Sequence, residues 1–418
     1  MKIGGTMRAL LPLLLSLLAV SGSYGKCSPE TEIARVDGKG ITLSYYRYVE
    51  ETIPRWALEK YYKGEKGKRE LLNKIVERTL ILVDAEKRGL FKREPLKSRV
   101  ERFRIKNLAY SYLNERLKGI KVTKEELERA IEKLPEKERT PRRIKSVKAS
   151  LLANKYVSKR EEVLSQVRRE IRVLNPSPAK PSDVVGEFKG QKITYGEISP
   201  LIEGKPTKKK IEKALETYAL YTLALKEGLN EREEFRNALR AFKERLAVNE
   251  FERELLSSVK LSDREIKEYY EKHKEKFKAP GTAKIRVFVF PDEKEAKKSL
   301  EALKRGEKVQ KAVPEKVLRS ARQWLVSSDD KENPVSLLVF SSKERFNLLK
   351  MPDGRVLLIE VEEKRPPHPM PYGDAYGKVK EELLRKRVRE LFERRMEEMR
   401  KRYGEKVYEE RLSCLGQE

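Results

Sequence analysis

The strongest constraint on the fold is an internal repeat. Residues 122–127 (VTKEEL) match residues 261–266 (LSDREI), and in each segment a Thr or Ser caps a helix while a Glu three residues later reaches back to it. The same offset of 139 residues relates Gly89 to Gly228 and the leucine that follows each of them. One spacing that holds over almost forty residues indicates a duplicated unit. The two copies should therefore fold alike.

A second pair of matching segments lies upstream in each copy. Residues 36–42 (VDGKGIT) resemble residues 188–194 (FKGQKIT) at an offset of 152 residues. Each segment predicts a short strand, a glycine-containing turn, a second strand, and a Thr that caps the next helix. Because this offset exceeds 139, the first copy holds about thirteen extra residues, which we place around residues 54–67.

The segments that follow the strands predict amphipathic helices, because apolar residues recur at three- and four-residue spacing. These stripes comprise Leu72, Ile75, Val76, Thr79 and Val83 in the first copy and Ile211, Ala214, Leu215, Tyr218 and Thr222 in the second. Gly89 and Gly228 come next, where a left-handed residue would end each helix. Longer helices are predicted over residues 96–117 and 234–256.

The pattern changes after the second copy. Residues 284–290 are strand-like, 292–304 helical and 355–361 strand-like again, which predicts a small α+β insert of about 85 residues. A long amphipathic helix and a last strand over residues 406–412 close the chain. The predicted fold class is mainly α with an α+β insert: two tandem helical modules with short strands, plus a small α+β domain. The predicted domains are a signal peptide (1–25), a first helical module (26–174), a proline-rich linker (175–182), the first part of a second helical module (183–280), the α+β domain (281–365) and a closing helix and strand (366–418).

The amino terminus predicts export. Lys2 and Arg8 precede an apolar run over residues 9–20, and Ser23 and Gly25 fit a signal-peptide cleavage site after Gly25. The run is short for a membrane span, although a retained anchor stays an alternative. We therefore expect the mature protein in the periplasm.

The formal net charge of +28 is strongly basic. Such an excess can indicate nucleic-acid binding, but 39% charged residues of both signs more often indicate a solvated surface rich in ion pairs. Export also removes the usual nucleic-acid partners, so none is expected. An anionic membrane surface or acidic client proteins stay open as partners.

The chain has two cysteines, Cys27 and Cys414, one near each end of the mature protein. In an oxidising compartment such a pair can form a disulfide that restricts the unfolded chain. Two unpaired thiols on frayed ends are the alternative, because the termini must meet in space for the bond to form.

Motifs for covalent chemistry are missing from the sequence. The two histidines are His273, on a Lys- and Glu-rich helix, and His368, in a proline-rich segment, and both are expected to be solvated. Two Cys and two His at these separations offer no metal site. A phosphate-binding loop and a nucleophile elbow are also missing. We therefore expect no cofactor, no metal and no catalytic residue.

The order of the segments resembles the SurA-type periplasmic chaperones and their parvulin-type peptidyl-prolyl isomerase domains. The resemblance covers nearly all of residues 32–412 and depends on the order of motifs more than on any one of them. The motifs are VDGKGIT (36–42), AEKRGL (85–90), EYYEKHKEKF (268–277) after the second capping box, the α+β insert, and EKRPP (363–367) before the long helix.

The resemblance implies that the helices flanking the insert pack together and that the first and last strands pair. Cys27 would then lie near Cys414, which favours the disulfide. The insert would be a parvulin domain, which usually carries one His in an HILV strand and another in a GYHI strand. Residues 285–289 (IRVFV) and 354–358 (GRVLL) lack both, and Trp324 alone matches the family's GGDLGW segment. We therefore expect weak or absent isomerase activity.

The predicted function is that of an ATP-independent chaperone of the periplasm or envelope, which holds unfolded or outer-membrane proteins during folding and assembly. Holding needs apolar surface flanked by charge and needs no nucleophile. An active parvulin-type isomerase and an envelope scaffold for one folded partner are the alternatives. Candidate client contacts are Tyr45, Tyr46, Tyr48, Trp56, Tyr218, Tyr221, Phe242 and Trp324. For each aromatic side chain of the helical modules, a core position on the helix stripe is the competing interpretation.

Overall fold

The computed structural model describes residues 27–416, so the predicted signal peptide and its cleavage site lie outside the described residues. The chain divides into two compact units. The helical unit comprises residues 27–253 and 394–416, and the insert unit is Glu254–Glu393. Along residues 27–416, no helix combines the length and the hydropathy needed to cross a membrane.

Both copies of the repeat begin with a β-hairpin and continue into helices. The elements of the first copy are β1 (Glu32–Val36), β2 (Lys39–Thr42), α1 (Leu43–Glu51), α2 (Arg55–Tyr61), α3 (Gly64–Lys87), α4 (Leu96–Leu117), α5 (Lys124–Glu132), α6 (Pro141–Arg169) and β3 (Ile171–Val173). Those of the second copy, up to the insert, are β4 (Val184–Phe188), β5 (Gln191–Thr194), α7 (Tyr195–Ile198), α8 (Lys208–Lys226), α9 (Glu233–Ser258) and α10 (Asp263–Lys272). The extra residues predicted for the first copy contain α2.

The remaining elements form the insert and the end of the chain. They are β6 (Lys278–Ala279), β7 (Thr282–Phe290), α11 (Glu293–Lys304), α12 (Val309–Ala312), α13 (Glu315–Arg319), β8 (Arg322–Ser327), α14 (Pro334–Ser341), β9 (Phe346–Lys350), β10 (Val356–Arg365), β11 (His368–Pro369), α15 (Tyr372–Tyr403) and β12 (Glu405–Val407). The boundary between the two units falls within α9 and within α15.

Equivalent turns of the two copies adopt the same backbone conformation. Asp37 and Gly38 have φ angles of 45° and 77°, and Lys189 and Gly190 have φ angles of 48° and 80°. Two successive left-handed residues match the type I′ turn, whose twist suits a two-residue hairpin. The hairpins β1–β2 and β4–β5 therefore share one turn geometry.

The predicted helix ends are confirmed in both copies. Thr123 and Ser262 each complete a capping box at the start of α5 and α10. Gly89 and Gly228 have φ angles of 67° and 69°, in the left-handed region that glycine adopts without steric cost. The same local signals thus begin and end equivalent helices.

The short strands exchange partners between the copies. β3 ends the first copy and pairs antiparallel with β4, the first strand of the second copy. β12 ends the second copy and pairs antiparallel with β1, the first strand of the first copy. The strand orders are β3-β4-β5 and β12-β1-β2. Each of these two sheets therefore contains strands from both copies.

The long helices follow the same exchange. We call β1, β2 and α1–α3 the first lobe, and β4, β5, α7 and α8 the second lobe. α4, from the first copy, packs on α8 and buries its apolar stripe in the core of the second lobe. α9, from the second copy, bonds to the first lobe: the guanidinium of Arg240 donates to the Gly40 carbonyl over 2.6 Å. Each lobe is thus completed by the other copy.

Equivalent ion pairs fasten the helices that close each copy. Glu77 on α3 and Glu216 on α8 are 139 residues apart in the sequence. Glu216 pairs with Arg168 of α6, and Glu77 pairs with Arg400 of α15 over 3.6 Å. The pairing is reciprocal, as in domain swapping, but here it occurs between two halves of one chain.

The disulfide between Cys27 and Cys414 is present, with 5.5 Å between the two Cα atoms. It joins the segment before β1 to a 3₁₀ helix over Glu409–Gly416. The predicted last strand over residues 406–412 is therefore wrong beyond Val407. The chain turns there because Cys414 and Leu415 are buried against the helical unit, which an extended strand would not allow.

The insert unit contains a four-stranded antiparallel sheet with strand order β8-β7-β10-β9. Successive side chains along β7 and β10 alternate between the two faces of the sheet. One face carries Phe288, Phe290 and Leu358, which pack with α11–α13. The other carries Ile285 and Ile359, which pack with α14. The predicted fold class, mainly α with an α+β insert, is confirmed.

Candidate functional site

The long helices α4 and α9 meet at a pair of aromatic rings. Phe103 and Phe242 are 139 residues apart, so they are equivalent positions of the two copies. Their ring centroids lie 4.2 Å apart with 12° between the planes. Contact between equivalent residues is what a local twofold relation produces. The stacked pair therefore marks the place where the two copies face each other.

A groove of about 410 Å³ opens beside this pair. It is lined by Arg99, Arg102, Phe103, Lys106, Asn107, Tyr110 and Phe242. Three of these side chains are aromatic and three are cationic, whereas none is a carboxylate. The groove thus combines apolar surface with positive charge.

Two of the cations in the groove are available to a ligand. Arg102 is held by Glu203, at 2.5 Å between the guanidinium and the carboxylate. Arg99 and Lys106 have no carboxylate partner among residues 27–416. A carboxylate that entered the groove would therefore form new ion pairs without displacing existing ones.

Aromatic surface is left uncovered at the same place. The Tyr110 side chain is 64% exposed, and both phenylalanines of the stacked pair are half-buried. The guanidinium of Arg245 lies 5.2 Å from the Phe242 ring centroid and extends the cationic border. A chain segment carrying apolar and acidic side chains would find complementary surface here.

Of the predicted client contacts, Phe242 lines the groove, whereas the Tyr48 ring stacks on that of Tyr45 at 6.4 Å between centroids. Burial raises the pKa of Tyr48, and the positive charge of Arg245 offsets part of this rise. Arg245 is thus close to both predicted residues. Tyr45 and Tyr46 are buried in the first lobe, so they offer a client almost no surface.

The predicted tyrosines of the second lobe lie away from the groove's lining. The Tyr218 hydroxyl donates to Glu197 over 2.8 Å, and burial together with that carboxylate raises the pKa of Tyr218. Tyr221 is buried, and the Arg104 guanidinium lies 5.8 Å from its ring centroid. Both side chains already have partners within the protein.

Trp56 belongs to α2, a helix without buried residues. Its side chain is 65% exposed, and its ring lies edge-on to that of Tyr61 at 6.5 Å between centroids. This exposed pair is a second aromatic surface of the helical unit. The second copy has no counterpart, because α2 lies in the extra residues of the first copy.

Sequence reasoning missed most of the groove, including Arg99, Phe103, Lys106 and Tyr110. One signal was available for Phe103, because the 139-residue offset that relates the copies also relates it to Phe242. The exposure of Tyr110 and the unpaired state of the cations follow only from the packing of α4 with α9.

The sheet of the insert unit carries an ion-pair cluster. Glu360 on β10 is 3% exposed and pairs with Arg345 over 2.7 Å. Arg286 on β7 pairs with both Glu360 and Glu362. Each carboxylate in the cluster therefore faces a guanidinium, as expected for a buried charge that must be compensated. One oxygen of Glu360, Oε2, accepts no hydrogen bond and lies 3.7 Å from the Arg286 guanidinium, so its charge is compensated without a hydrogen bond.

Trp324 lies on β8, at the edge of the same sheet and opposite Ile285 of β7. Its side chain is 38% exposed. None of the four strands of this sheet contains a histidine. His273 ends α10 and its ring lies 4.3 Å from that of Tyr269, while His368 lies in β11. Within residues 27–416 there is also no group of acidic, His or Cys side chains that could hold a metal ion.

Comparison with protein-family models finds one match in this part of the chain. Residues 261–376 match the PPIC-type PPIASE domain, a peptidyl-prolyl isomerase family. The chain contains a PPIC-type PPIase domain. The predicted parvulin-type resemblance is therefore confirmed, and the matched segment runs from α10 through the sheet to the start of α15.

Comparison with solved structures finds SurA-like chaperones and a peptidylprolyl isomerase, all with low sequence identity and low structural similarity to this chain. Two come from the pair of SurA-like Campylobacter jejuni chaperones, the virulence factor PEB4 and the periplasmic protein Cj1289. One is 16% identical, covers 52% of this chain and 96% of its own, and has a TM-score of 0.31. The other is 10% identical, covers 90% of this chain and 99% of its own, and has a TM-score of 0.27. The Bacillus anthracis peptidylprolyl isomerase PrsA is 16% identical, with coverages of 44% and 80% and a TM-score of 0.19. The comparison with curated proteins finds no match.

Proposed function

We propose that this protein is an ATP-independent periplasmic chaperone that holds unfolded polypeptide, including outer-membrane proteins, in the groove between α4 and α9. The observation that carries the proposal is the lining of this groove, with three aromatic rings, three cations and no carboxylate. Burial of apolar client side chains supplies the attraction, and it needs no nucleotide.

The charge of the groove restricts which segments fit best. Unpaired Arg99 and Lys106 favour clients with Asp or Glu close to apolar residues, because opposite charges attract most strongly where water is partly excluded. Basic segments would be repelled by the same cations. The groove therefore selects by composition and not by one fixed sequence.

Two further observations support a role in protein folding outside the cytoplasm. The PPIC-type domain belongs to a family that acts on prolyl bonds, so polypeptide is the expected substrate class. Disulfides such as that between Cys27 and Cys414 form and persist in oxidising compartments, and the predicted export signal would deliver the chain to one.

The direct test is suppression of aggregation. An outer-membrane β-barrel protein is diluted from urea without ATP, and light scattering is recorded with increasing amounts of the chaperone. We expect the double substitution Phe103→Ser with Phe242→Ser to require at least several-fold more protein for the same suppression. Circular dichroism checks that the variant is folded.

The matched control is Leu174→Ser, which removes an exposed apolar side chain outside the groove. It should leave suppression unchanged. For a variant with less disturbance of packing, Lys106→Glu should weaken suppression of an acidic client more than that of a basic one. Equal suppression by wild type and both groove variants would refute the assignment of the groove.

An active isomerase is the second candidate, because residues 261–376 match an isomerase family. The strands without histidine and the paired Arg286, Glu360 and Glu362 cluster lead us to expect little acceleration. A proline-limited refolding assay decides this point. A large rate increase that Trp324→Ala abolishes would establish the enzyme.

A further inference from the structure

The segment 141–160 of α6 is unusual in its charge. It contains seven Lys or Arg residues and no Asp or Glu, although the whole chain has 67 acidic residues. The other described helices of ten residues or more carry both signs and form many ion pairs. A segment of twenty residues with seven cations and no anion indicates a surface kept for an anionic partner.

This segment stands apart from the hydrophobic core. The buried residues of α6 are Val163, Leu164 and Val167, all beyond position 160, and α5 has no buried residue. The neighbouring α5 contacts α6 through Lys155, whose ammonium bonds to Glu126 and to the Lys121 carbonyl, each over 2.8 Å. α5 and the first two thirds of α6 therefore form a helical hairpin that the core does not cover.

One face of the hairpin points to solvent along its whole length. Residues spaced by three or four positions share a face of a helix. The outward residues at that spacing, all exposed, are Arg142, Lys145, Ala149, Ala153, Tyr156 and Arg160. From position 142 to 160 this face extends about 27 Å at 1.5 Å per residue. We call this outward side of residues 141–160 the strip; it carries cations at both ends, with Ala149, Ala153 and Tyr156 between them.

The cations of the strip are free to bind. Within residues 27–416, Arg142, Lys145, Lys148 and Arg160 have no carboxylate partner. Tyr156 lies within the strip, while Lys148 and Val157 flank it on opposite sides; the Tyr156 and Val157 side chains are 39% and 67% exposed. Tyr is a residue enriched where an apolar interior meets water, with its ring in the apolar layer and its hydroxyl outside.

We propose that the strip 141–160 binds the surface of an anionic membrane, with the helix parallel to the bilayer. Long Lys and Arg side chains reach headgroup phosphates while Tyr156 and Val157 enter the boundary of the acyl region. A bilayer fits better than an acidic protein, because the strip is extended and lies outside any groove that would select one partner. This binding is independent of the client groove, and it would position the chaperone beside the membrane.

The test is co-sedimentation of the full chain with phosphatidylcholine vesicles that contain about 30% phosphatidylglycerol, compared with vesicles of pure phosphatidylcholine, which lack the negative surface potential of anionic lipids. The variant carries Arg142→Gln, Lys145→Gln, Lys148→Gln and Arg160→Gln. Because each cation near an anionic surface contributes about fivefold in binding, we expect the variant to bind at least about tenfold more weakly. Wild-type binding should also fall steeply with salt.

The matched control removes the same charge from the insert unit, through Lys294→Gln, Lys298→Gln, Lys304→Gln and Lys308→Gln. These four lysines are exposed and lack carboxylate partners in the described chain. The control variant should keep most of its binding to anionic vesicles. Equal losses in both variants would show that net charge alone acts, and would overturn the proposal. Binding to poly-glutamate without binding to vesicles would overturn it in favour of an acidic protein partner.

Discussion

The two lobes are built alike, but the helix that completes each one meets it with different chemistry. In the first lobe, Glu244 of α9 is buried, accepts a hydrogen bond from the Tyr45 hydroxyl over 2.7 Å, and pairs with Arg240. At the equivalent position of α4, the second lobe receives Ile105, which is buried in an apolar core. The contact of α9 with the first lobe is therefore polar, and the contact of α4 with the second lobe is apolar. We call these two contacts the polar joint and the apolar joint.

This difference shows that each long helix can pack on the lobe of the other copy whether the contact between them is polar or apolar. Strand pairing and the apolar helix stripes are common to both joints, and they suffice to direct each long helix to the opposite lobe. A buried carboxylate adds hydrogen bonds that form in only one arrangement of the helix and the lobe. Its burial also costs free energy, because the charge is removed from water. The copies can thus share a fold while differing in how they tolerate substitution.

The largest expected effect comes from removing the disulfide, which fastens the chain next to β1 of the first lobe and has no counterpart in the second lobe. Replacing Cys27 and Cys414 by Ser removes a cross-link over 387 residues, and it should lower the free energy of unfolding by about 4 kcal/mol. Urea denaturation measures the loss. Hydrogen exchange should quicken in β1 and β12 and remain slow in β3 and β4. Equal quickening of both sheets would contradict this account.

The next prediction exchanges the residues that distinguish the two joints. Glu244→Ile places the residue of the apolar joint into the polar one. It removes the acceptor of the Tyr45 hydroxyl and the charge partner of Arg240, which keeps only its neutral acceptors, Gly40 and Thr79. We expect a loss of about 3 kcal/mol by denaturant unfolding, because an uncompensated buried charge is costly. Ile105→Val serves as the reference and should cost about 1 kcal/mol. A smaller loss for Glu244→Ile than for this reference would be evidence against a specific polar joint.

A third prediction concerns a feature that the copies share. Gly38→Ala and Gly190→Ala each introduce a side chain at a left-handed residue, and neither new Cβ would meet an atom within 4 Å. Both should cost about 1.5 kcal/mol through backbone strain alone. Thermal denaturation of the two variants should give similar shifts. Unequal shifts would show that the two hairpins are not equivalent.

The smallest expected effect is the dependence on pH that one carboxyl group, that of Glu86, gives to the first lobe. Burial alone would raise the pKa of Glu86, but hydrogen bonds from Lys243 and Lys39 outweigh it and lower the pKa below 4.5. A lowered pKa in the folded state adds stability above about pH 4.5, and that stability is lost as the pH falls through the lowered value. Glu86→Gln should therefore cost about 1 kcal/mol at pH 7 and almost nothing at pH 3.

Urea denaturation at the two pH values measures this difference. In the second lobe the equivalent residue is Leu225, so Leu225→Ala provides a comparison whose cost should not change between pH 7 and pH 3. A cost of Glu86→Gln that persists unchanged at pH 3 would show that its ion pairs are not the cause.

Local signals explain why much of the fold could be predicted from the sequence. Capping boxes at Thr123 and Ser262, left-handed glycines at positions 89 and 228, and helix stripes all act within a few residues of chain. The insert was recognised from its change of periodicity. Its PPIC-type match agrees with that interpretation.

Features that depend on contacts between distant residues could not be predicted. The stripe of α4 is equally suited to either lobe, so the sequence does not reveal the exchange. Aromatic residues of a stripe look alike whether the partner helix covers them, as for Tyr45, or leaves them open, as for Tyr110. The strand ending at Val407 was extended too far because burial of Cys414 is a tertiary effect. Which aromatic residues contact clients stays a prediction.

The central claim, that unfolded polypeptide binds where equivalent residues of the two copies meet, is tested most directly by site-specific photocrosslinking. A photoreactive amino acid is placed at position 103, at position 110, and at position 174 as a reference on the surface outside the groove. With an unfolded outer-membrane protein present, we expect crosslinks from positions 103 and 110 and very few from position 174. Equal crosslinking from all three positions, or none from the groove, would contradict the account.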